Sequence, residues 1–287
     1  MKKVINISTL LAVSALTFFS CQNMERPALG NYVKDVNQPG GPLKFFAAFD
    51  GTSSNILLNA VDSIRATFPA TNPMTAIDGI SGKGIQGDGK TYITYPQPND
   101  FGSTVSSFSI SLWEKRNGIP NGNASFVFTV PSANGQWGTY GFSMFLLFDW
   151  GTWTPTSSAI VKFYMVDDKT KSDNWFQWDG SGNANSGAKV ANVQDNNWHH
   201  LVFVYDATTS AMTLYVDGVA NSTVVSWAAH GALSVNSTQV QELDICGNKN
   251  IKDMGWGMNW DGGLDQFRMY NTALKATDVQ ALFAGKK

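Results

Sequence analysis

The stretch SSFSISLW, residues 106–113, alternates so strictly that Phe108, Ile110 and Leu112 fall on one face and Ser107, Ser109, Ser111 and Trp113 on the other. Successive side chains of a strand point to opposite faces, so this pattern predicts a β-strand with one buried side. The segments ASFVFTV, YGFSMFLLF, AIVKFYMV, HHLVFVYD, MTLYVDG and QELDICG follow at short intervals, separated by Gly, Asn, Asp and Pro clusters suited to turns. Many short strands with no helical periodicity between them predict an all-β fold, a two-sheet antiparallel sandwich of the jelly-roll kind. One short helix is expected at the C-terminus, in ATDVQALFAG, with Thr277 and Gln280 as a capping box and Gly285 as the stop. The 27 glycines, 10 tryptophans and 15% charged residues suit an extracellular β domain with long polar loops.

The chain begins MKKVINISTLLAVSALTFFSC, two lysines followed by an uncharged apolar run from Val4 to Phe19. That run is too short for a membrane span and reads as a secretory signal peptide over residues 1–20. Its end, TFFSC, resembles the lipobox of bacterial lipoproteins, with Phe18 where that family usually has Leu. The resemblance implies lipidation of Cys21 and a stable membrane anchor without a spanning helix. Residues 21–42, rich in polar residues with Pro27, Pro39, Gly40, Gly41 and Pro42, have the composition of a tether, and the folded domain is expected over 43–287. Beyond Cys21 the chain holds only Cys246, so no intrachain disulfide stabilises that domain. Setting aside Lys2 and Lys3 of the leader leaves 18 basic and 22 acidic residues, which excludes recognition of nucleic acid by charge.

Four segments in order, ISGKGIQGDGKTYITY, FSISLW, NNWHHLVFVYDATTSAMTLYVDG and GGLDQFRMYNTALKATDVQALF, resemble the laminin G-like domains of the concanavalin A-like lectin/glucanase superfamily. The resemblance runs from about Phe46 to Phe283 and implies a concanavalin A-like jelly roll. Some of its motifs have a local reading too: Asp217-Gly218 sits at a tight hairpin that needs positive φ. His199 and His200, adjacent on a strand, point to opposite faces and cannot act together, and His230 has no partner motif, so a histidine zinc site is not expected.

Retaining glycosidases of this architecture carry a strand motif Glu-x-Asp-x-Glu or Glu-x-Asp-x-x-Glu. Alternate residues share a face about 6.6–7 Å apart, so such carboxyls line one groove. Nucleophile and acid/base then stand about 5–5.5 Å apart across the scissile bond. In VQELDICGN, Glu242 and Asp244 fill the first two places, but Cys246 and Gly247 stand where the last Glu would be. The proton donor is missing. The segment therefore reads as a framework strand with Leu243 and Ile245 on the core side, and the chain as a non-enzyme in which Glu242 and Asp244 face a groove and accept hydrogen bonds from sugar hydroxyls.

Trp113 and Trp198 fall at framework positions, whereas eight tryptophans fall in Gly-, Asn- and Asp-rich segments that read as loops. Indole in water is costly unless it covers a core or meets a ligand. The segment DNWFQWDG offers flat rings with polar partners, so the ligand candidates are Trp153, Trp175, Gln177, Trp178, Asp179 and Trp256, with Glu242 and Asp244. The family resemblance also implies one structural Ca²⁺ where the first and last strands meet, at Asp50 and Asp265, since hard oxygen ligands are needed there. Anchor and fold together resemble the surface glycan-binding lipoproteins of polysaccharide-uptake systems in gut Bacteroidota. They imply an exported lipoprotein at the cell surface of the outer membrane that captures poly- or oligosaccharide beside other envelope glycan-uptake proteins. A laminarinase-like glycoside hydrolase and a protein-binding adhesion module stand as the alternatives.

Overall fold

The computed structural model describes residues 41–50, 74–96, 98–118, 122–132, 141–149, 157–183, 186–235, 240 and 242–286. Cys21, the tether up to residue 40 and Trp153 lie outside the described residues. In chain order the strands are β1 (Leu43–Ala47), β2 (Thr75–Asp78), β3 (Lys83–Gln86), β4 (Ile93–Pro96), β5 (Phe108–Asn117), β6 (Ala124–Pro131), β7 (Phe142–Asp149) and β8 (Ile160–Val166). They continue with β9 (Asp173–Trp178), β10 (Ser186–Gly187), β11 (Asp195–Asp206), β12 (Ala211–Val216), β13 (Val219–Ala220) and β14 (Val225–Ser226). The last are β15 (Glu242–Ile245), β16 (Gly257–Asn259) and β17 (Gly263–Tyr270).

Two sheets form. The first runs β13-β12-β11-β5-β17-β3-β2, with β1 also on β17; the second runs β10-β9-β8-β7-β6-β15-β4. Pairing is antiparallel except at β10–β9 and β16–β6. The alternation read from SSFSISLW holds. Phe108, Ile110 and Leu112 are wholly buried between the sheets, while Ser111 points to the opposite face, where its hydroxyl lies 2.9 Å from His200 Nε2. Facing residues of the second sheet, among them Phe128, Leu146, Phe163 and Phe176, close the same core. In the β12–β13 hairpin Val216 pairs with Val219, and Asp217 and Gly218 take φ of 50° and 80°, the left-handed corner such a two-residue turn requires.

The helix spans Ala276–Gly285 and packs Val279 against Val202 and Val204 on the outer face of the first sheet. Its start differs from the expected capping box. The side chain of Asp278, not of Gln280, reaches back to accept from the backbone N–H of Lys275 at 3.0 Å, and Lys286 rather than Gly285 takes the left-handed position. Phe283 on this helix stacks on Trp113, which confirms Trp113 as a packing residue. The two adjacent histidines separate as expected. His200 lies buried against Trp113, while His199 points the other way, between Asp195 and Asp217.

The segment DNWFQW is a strand and not a loop. Its alternation sends Phe176 and Trp178 inward and Trp175 and Gln177 outward. Trp227 and Trp260, also read as loop residues, are buried as well, Trp260 wholly so and edge-on to Phe148.

Candidate functional site

The outer face of the second sheet carries an unusual load of aromatic side chains. Starting from β9, Trp175 lies 5.0 Å from the ring of Tyr164 and 5.3 Å from that of Phe145; Phe145 stacks on Tyr164 at 4.7 Å. Phe145 continues to Phe126 at 5.1 Å, and Phe126 to Trp256 at 5.7 Å. The file thus crosses β9, β8, β7 and β6 and ends at the loop before β16. Ile251 and Met254 of a single 3₁₀ turn, Ile251–Met254, cover part of it. Phe126, Phe145 and Tyr164 are buried, whereas the terminal rings Trp175 and Trp256 are partly exposed. An apolar file on the outer side of a sheet is the counterpart of what sugar C–H faces need.

Polar groups flank the file at both ends. At the β9 end, Gln177 pairs in register with Lys162, whose ammonium lies 2.5 Å from Asp149. Asp179, a ligand candidate, works instead as a turn cap. Partial burial pushes its carboxyl up, but hydrogen bonds from Ser186 and Ser181 outweigh that and hold it below the usual range. At the far end stands β15, four strands from β9, a span of about 19 Å at the ordinary ~4.8 Å strand spacing. Glu242 and Asp244 point to this outer face, and Leu243 and Ile245 are wholly buried in the core, as the sequence implies.

Asp244 is not open to a ligand. It has no exposed surface; one oxygen accepts from the Thr94 hydroxyl at 2.7 Å and the other from the Asn248 amide. Burial pushes its carboxyl up to about 7; the Thr94 hydrogen bond acts against that shift and the nearby Glu242 reinforces it. Burial also raises the phenol of Tyr92, with the charges of Asp244 and Glu242 adding to it. Glu242, partly exposed, is the member of the pair that can meet a hydroxyl. The residue two positions on, Cys246, is wholly buried in the core, so no third carboxyl follows Asp244 on this strand.

The structure therefore brings Trp175, Gln177, Trp256 and Glu242 to one face and withdraws Trp178 and Asp244 from it. Trp178 is wholly buried, edge-on to Phe203, with its Nε1 donating to the Thr223 carbonyl at 3.3 Å. An indole sealed between the sheets cannot stack on a sugar. Thr94 and Asn248 were missed because only the β4–β15 register, Asp244 opposite Thr94, brings the first to β15, and the loop beyond the strand brings the second.

A second candidate site sits on the rim, where β1 and β17 meet the turn between β2 and β3. Asp265 Oδ2 accepts from the N–H of Ile80 at 2.8 Å, and Asp50 Oδ1 from that of Lys83 at 2.6 Å. Gly79 and Gly82 make the approach feasible: a β-carbon there would lie 2.3 Å from Asp265 Oδ2 and 2.0 Å from Asp50 Oδ1. Asp265 is wholly buried and its Oδ1 has no hydrogen-bond partner; burial pushes this carboxyl up to about 7, countered by the backbone donors and reinforced by Asp50. A buried carboxylate oxygen without a donor, close to a second carboxylate, fits a hard divalent cation. No cluster of three or more His, Cys, Asp or Glu exists among the described residues, so these two carboxylates are the acidic ligands the described residues offer a cation here.

A family model described as the concanavalin A-like lectin/glucanases superfamily matches residues 87–280. Among solved structures, domain 4 of AbnA, a GH43 extracellular arabinanase from Geobacillus stearothermophilus in complex with arabinotriose, superposes with a TM-score of 0.54 at 18% identity. The match covers 84% of this chain and 97% of that one. The binding domain of Paraclostridial Mosquitocidal Protein 1 gives 0.54 at 17% identity, covering 85% and 52%. The binding domain of botulinum neurotoxin DC in complex with SialylT gives 0.52 at 14%, covering 86% and 52%, so this chain spans about half of the toxin domains' length. No curated protein matches the sequence. At these identities the neighbours establish the fold.

Proposed function

The chain belongs to the concanavalin A-like lectin/glucanase superfamily, and from that premise we propose that it is a non-catalytic glycan-binding protein whose ligand lies along the outer face of the second sheet. The observation that carries this reading is the aromatic file from Trp175 to Trp256. It presents two partly exposed indoles at its ends, with Gln177 and Glu242 as hydrogen-bonding groups beyond them. The neighbours solved with arabinotriose and SialylT support oligosaccharide as the ligand class. Catalysis is disfavoured because the residue that would follow Asp244 in a glycosidase triad is a buried thiol, and Asp244 itself is closed off by Thr94 and Asn248. In keeping with the leader sequence, the protein is exported, lipidated at Cys21 and held at the outer membrane surface, where it serves polysaccharide capture with other envelope proteins.

Affinity electrophoresis of the full chain through gels cast with single polysaccharides tests the binding. Trp175→Ala and Trp256→Ala are each expected to weaken retention about tenfold, the loss of one stacking contact of about 1–1.5 kcal/mol. Equal retention of wild type and both variants on a polysaccharide that retards the wild type overturns the assignment of this face. Release of reducing sugar from that polysaccharide would overturn the non-catalytic part.

The rim site is proposed to hold one Ca²⁺ between Asp50 and Asp265, where the ion would neutralise two converging carboxylates and tie β1 and β17 to the β2–β3 turn. At a hundredfold excess over its dissociation constant it would add about 2.7 kcal/mol, on the order of 5–10 °C in Tm for a domain of this size. Calcium titrated into chelator-treated protein should raise the melting midpoint by that order, and Asp265→Asn should abolish the rise. A midpoint indifferent to calcium in the wild type rules the ion out.

A further inference from the structure

A pocket distinct from the aromatic face opens at the end of the first sheet, with a volume of about 450 Å³, within the range of small-ligand sites. It is bounded by the β2–β3 hairpin, the last residues of β5, the start of β11 and the loop before β17. Gly262 lines it, and the next residue, Gly263, is crowded by side chains. A β-carbon on Gly263 would stand 3.0 Å from both Ile77 Cδ1 and Trp198 Cη2 and 3.3 Å from Lys115 Cβ, so all three side chains converge over that residue. Gly84 on the neighbouring strand likewise leaves room for the Trp198 ring, 3.2 Å from where its β-carbon would be. The indole is not itself in the lining but is fixed beside it, its Nε1 donating to the carbonyl of the lining residue Asp78 at 3.3 Å, and it stays partly exposed. Trp198, a framework residue by its sequence position, therefore also presents a held aromatic surface.

The charges around the pocket pair off except one. Arg116 is buried and engaged on three sides: Nε donates to the Gly118 carbonyl at 3.0 Å, and both terminal nitrogens engage the Asp261 carboxylate. Asp78 pairs with Lys83. Lys115, in the lining, makes no ion pair among the described residues. The side-chain amides of Asn117 and Asn196, also in the lining, make no side-chain hydrogen bond among the described residues, and Gln86 commits its amide N–H to the Gly87 and Asp261 carbonyls while its own carbonyl stays available. The pocket thus combines one apolar side chain, Ile77, with amide donors and acceptors and an ammonium that makes no direct ion pair among the described residues and helps to hold the Asp78 carboxylate ionised. An ammonium that makes no direct ion pair can receive an anion, and amides near an indole suit a ring that bears hydroxyls.

We propose that this pocket is a second saccharide subsite that takes an anionic sugar unit, one bearing a carboxylate or a sulfate, with Lys115 receiving the anionic group and Trp198 the ring. The proposal rests on the reading of the chain as a glycan-binding protein and narrows its ligand to acidic glycans. Isothermal titration of the full chain with trigalacturonic acid, a sulfated trisaccharide and a neutral trisaccharide separates the two. Either acidic probe, or both, should bind wild-type protein, and Lys115→Met, which keeps the aliphatic stem over Gly263, should weaken that binding about tenfold or more while leaving Tm and any neutral-probe binding unchanged. The probe that responds identifies carboxylate or sulfate as the recognised group. Acidic binding that survives Lys115→Met, or binding of the neutral probe alone, overturns the acidic subsite while leaving the glycan-binding reading standing. Silence toward all three, and toward the polysaccharide gels, sinks both.

Discussion

Trp178→Ala is expected to cost about 3–5 kcal/mol of stability, the range for removing a large aromatic side chain from a packed core. The side chain is wholly enclosed, edge-on to Phe203, and donates to the Thr223 carbonyl. Gly187 exists opposite it because a β-carbon there would sit 2.4 Å from the indole Cδ1. The neighbouring strands cannot collapse into the vacated space without moving β10, so most of the cavity should persist. Urea unfolding followed by fluorescence should show a much lower midpoint with an unchanged slope. Trp175→Ala, three residues earlier on the same strand, should cost far less, because that ring is partly exposed. A Trp178→Ala protein of native stability that had lost glycan binding would restore the indole to the ligand face.

That pair of tryptophans also shows where sequence reasoning runs out. Strict alternation in SSFSISLW and the Asp217-Gly218 corner identified strand, face and turn from local chemistry alone. In DNWFQW the same period of two is present, with Trp175 and Gln177 on one face and Phe176 and Trp178 on the other. It was masked by Asp173, Asn174 and Gln177, residue types that favour loops; Asp173 and Gln177 here fall on the outer, partly wet side of an edge-proximal strand, while Asn174 falls on the inner side. Trp227 and Trp260 fail for another reason: they lie in irregular segments that fold back over the sandwich, and nothing local says so. Glu242 and Asp244 were placed on the correct face by alternation. The partners that close over Asp244 were invisible, because Thr94 arrives from a strand 150 positions earlier and Asn248 from the loop beyond.

Asp244 is expected to take stability away from the protein as pH rises from about 4 to about 7, in the sense opposite to His200, which burial holds near 4. The Asp244 carboxyl, near 4 in an unfolded chain, is pushed up to about 7 by burial in the folded one. The folded state therefore holds a proton that the unfolded state gives up across that interval. Its contribution is fully present below the unfolded value and is lost as pH climbs through the folded value, at up to about 1.4 kcal/mol per pH unit. Asp265, also raised to about 7, acts in the same sense. His199, held near 9 by Asp217, extends the decline above its unfolded value. Asp244→Asn isolates the first of these: the amide can donate to Thr94 and accept from Asn248, standing in for the protonated acid. Urea midpoints at half-unit intervals should show a shallower pH slope in this variant, equal stability at pH 4 and a lead of a few kcal/mol at pH 7. Parallel curves for wild type and variant would show that Asp244 is ionised at neutral pH after all.

The order of strands in the first sheet carries a consequence for how the molecule comes into being. β5 lies between β11 and β17, and among the described residues β1 pairs with β17 alone, where Ala47 meets Phe267. The earliest strands to emerge thus find their neighbours among the last. Contacts so distant along the chain must close large loops before any enthalpy returns, which makes folding slow and postpones it until nearly the whole polypeptide is available. A nascent chain halted before Gly263 would carry the open edges of β1, β3 and β5 and invite edge-to-edge association. The finished sheet encloses those edges, so completion of a single late strand separates an adhesive intermediate from a self-contained domain.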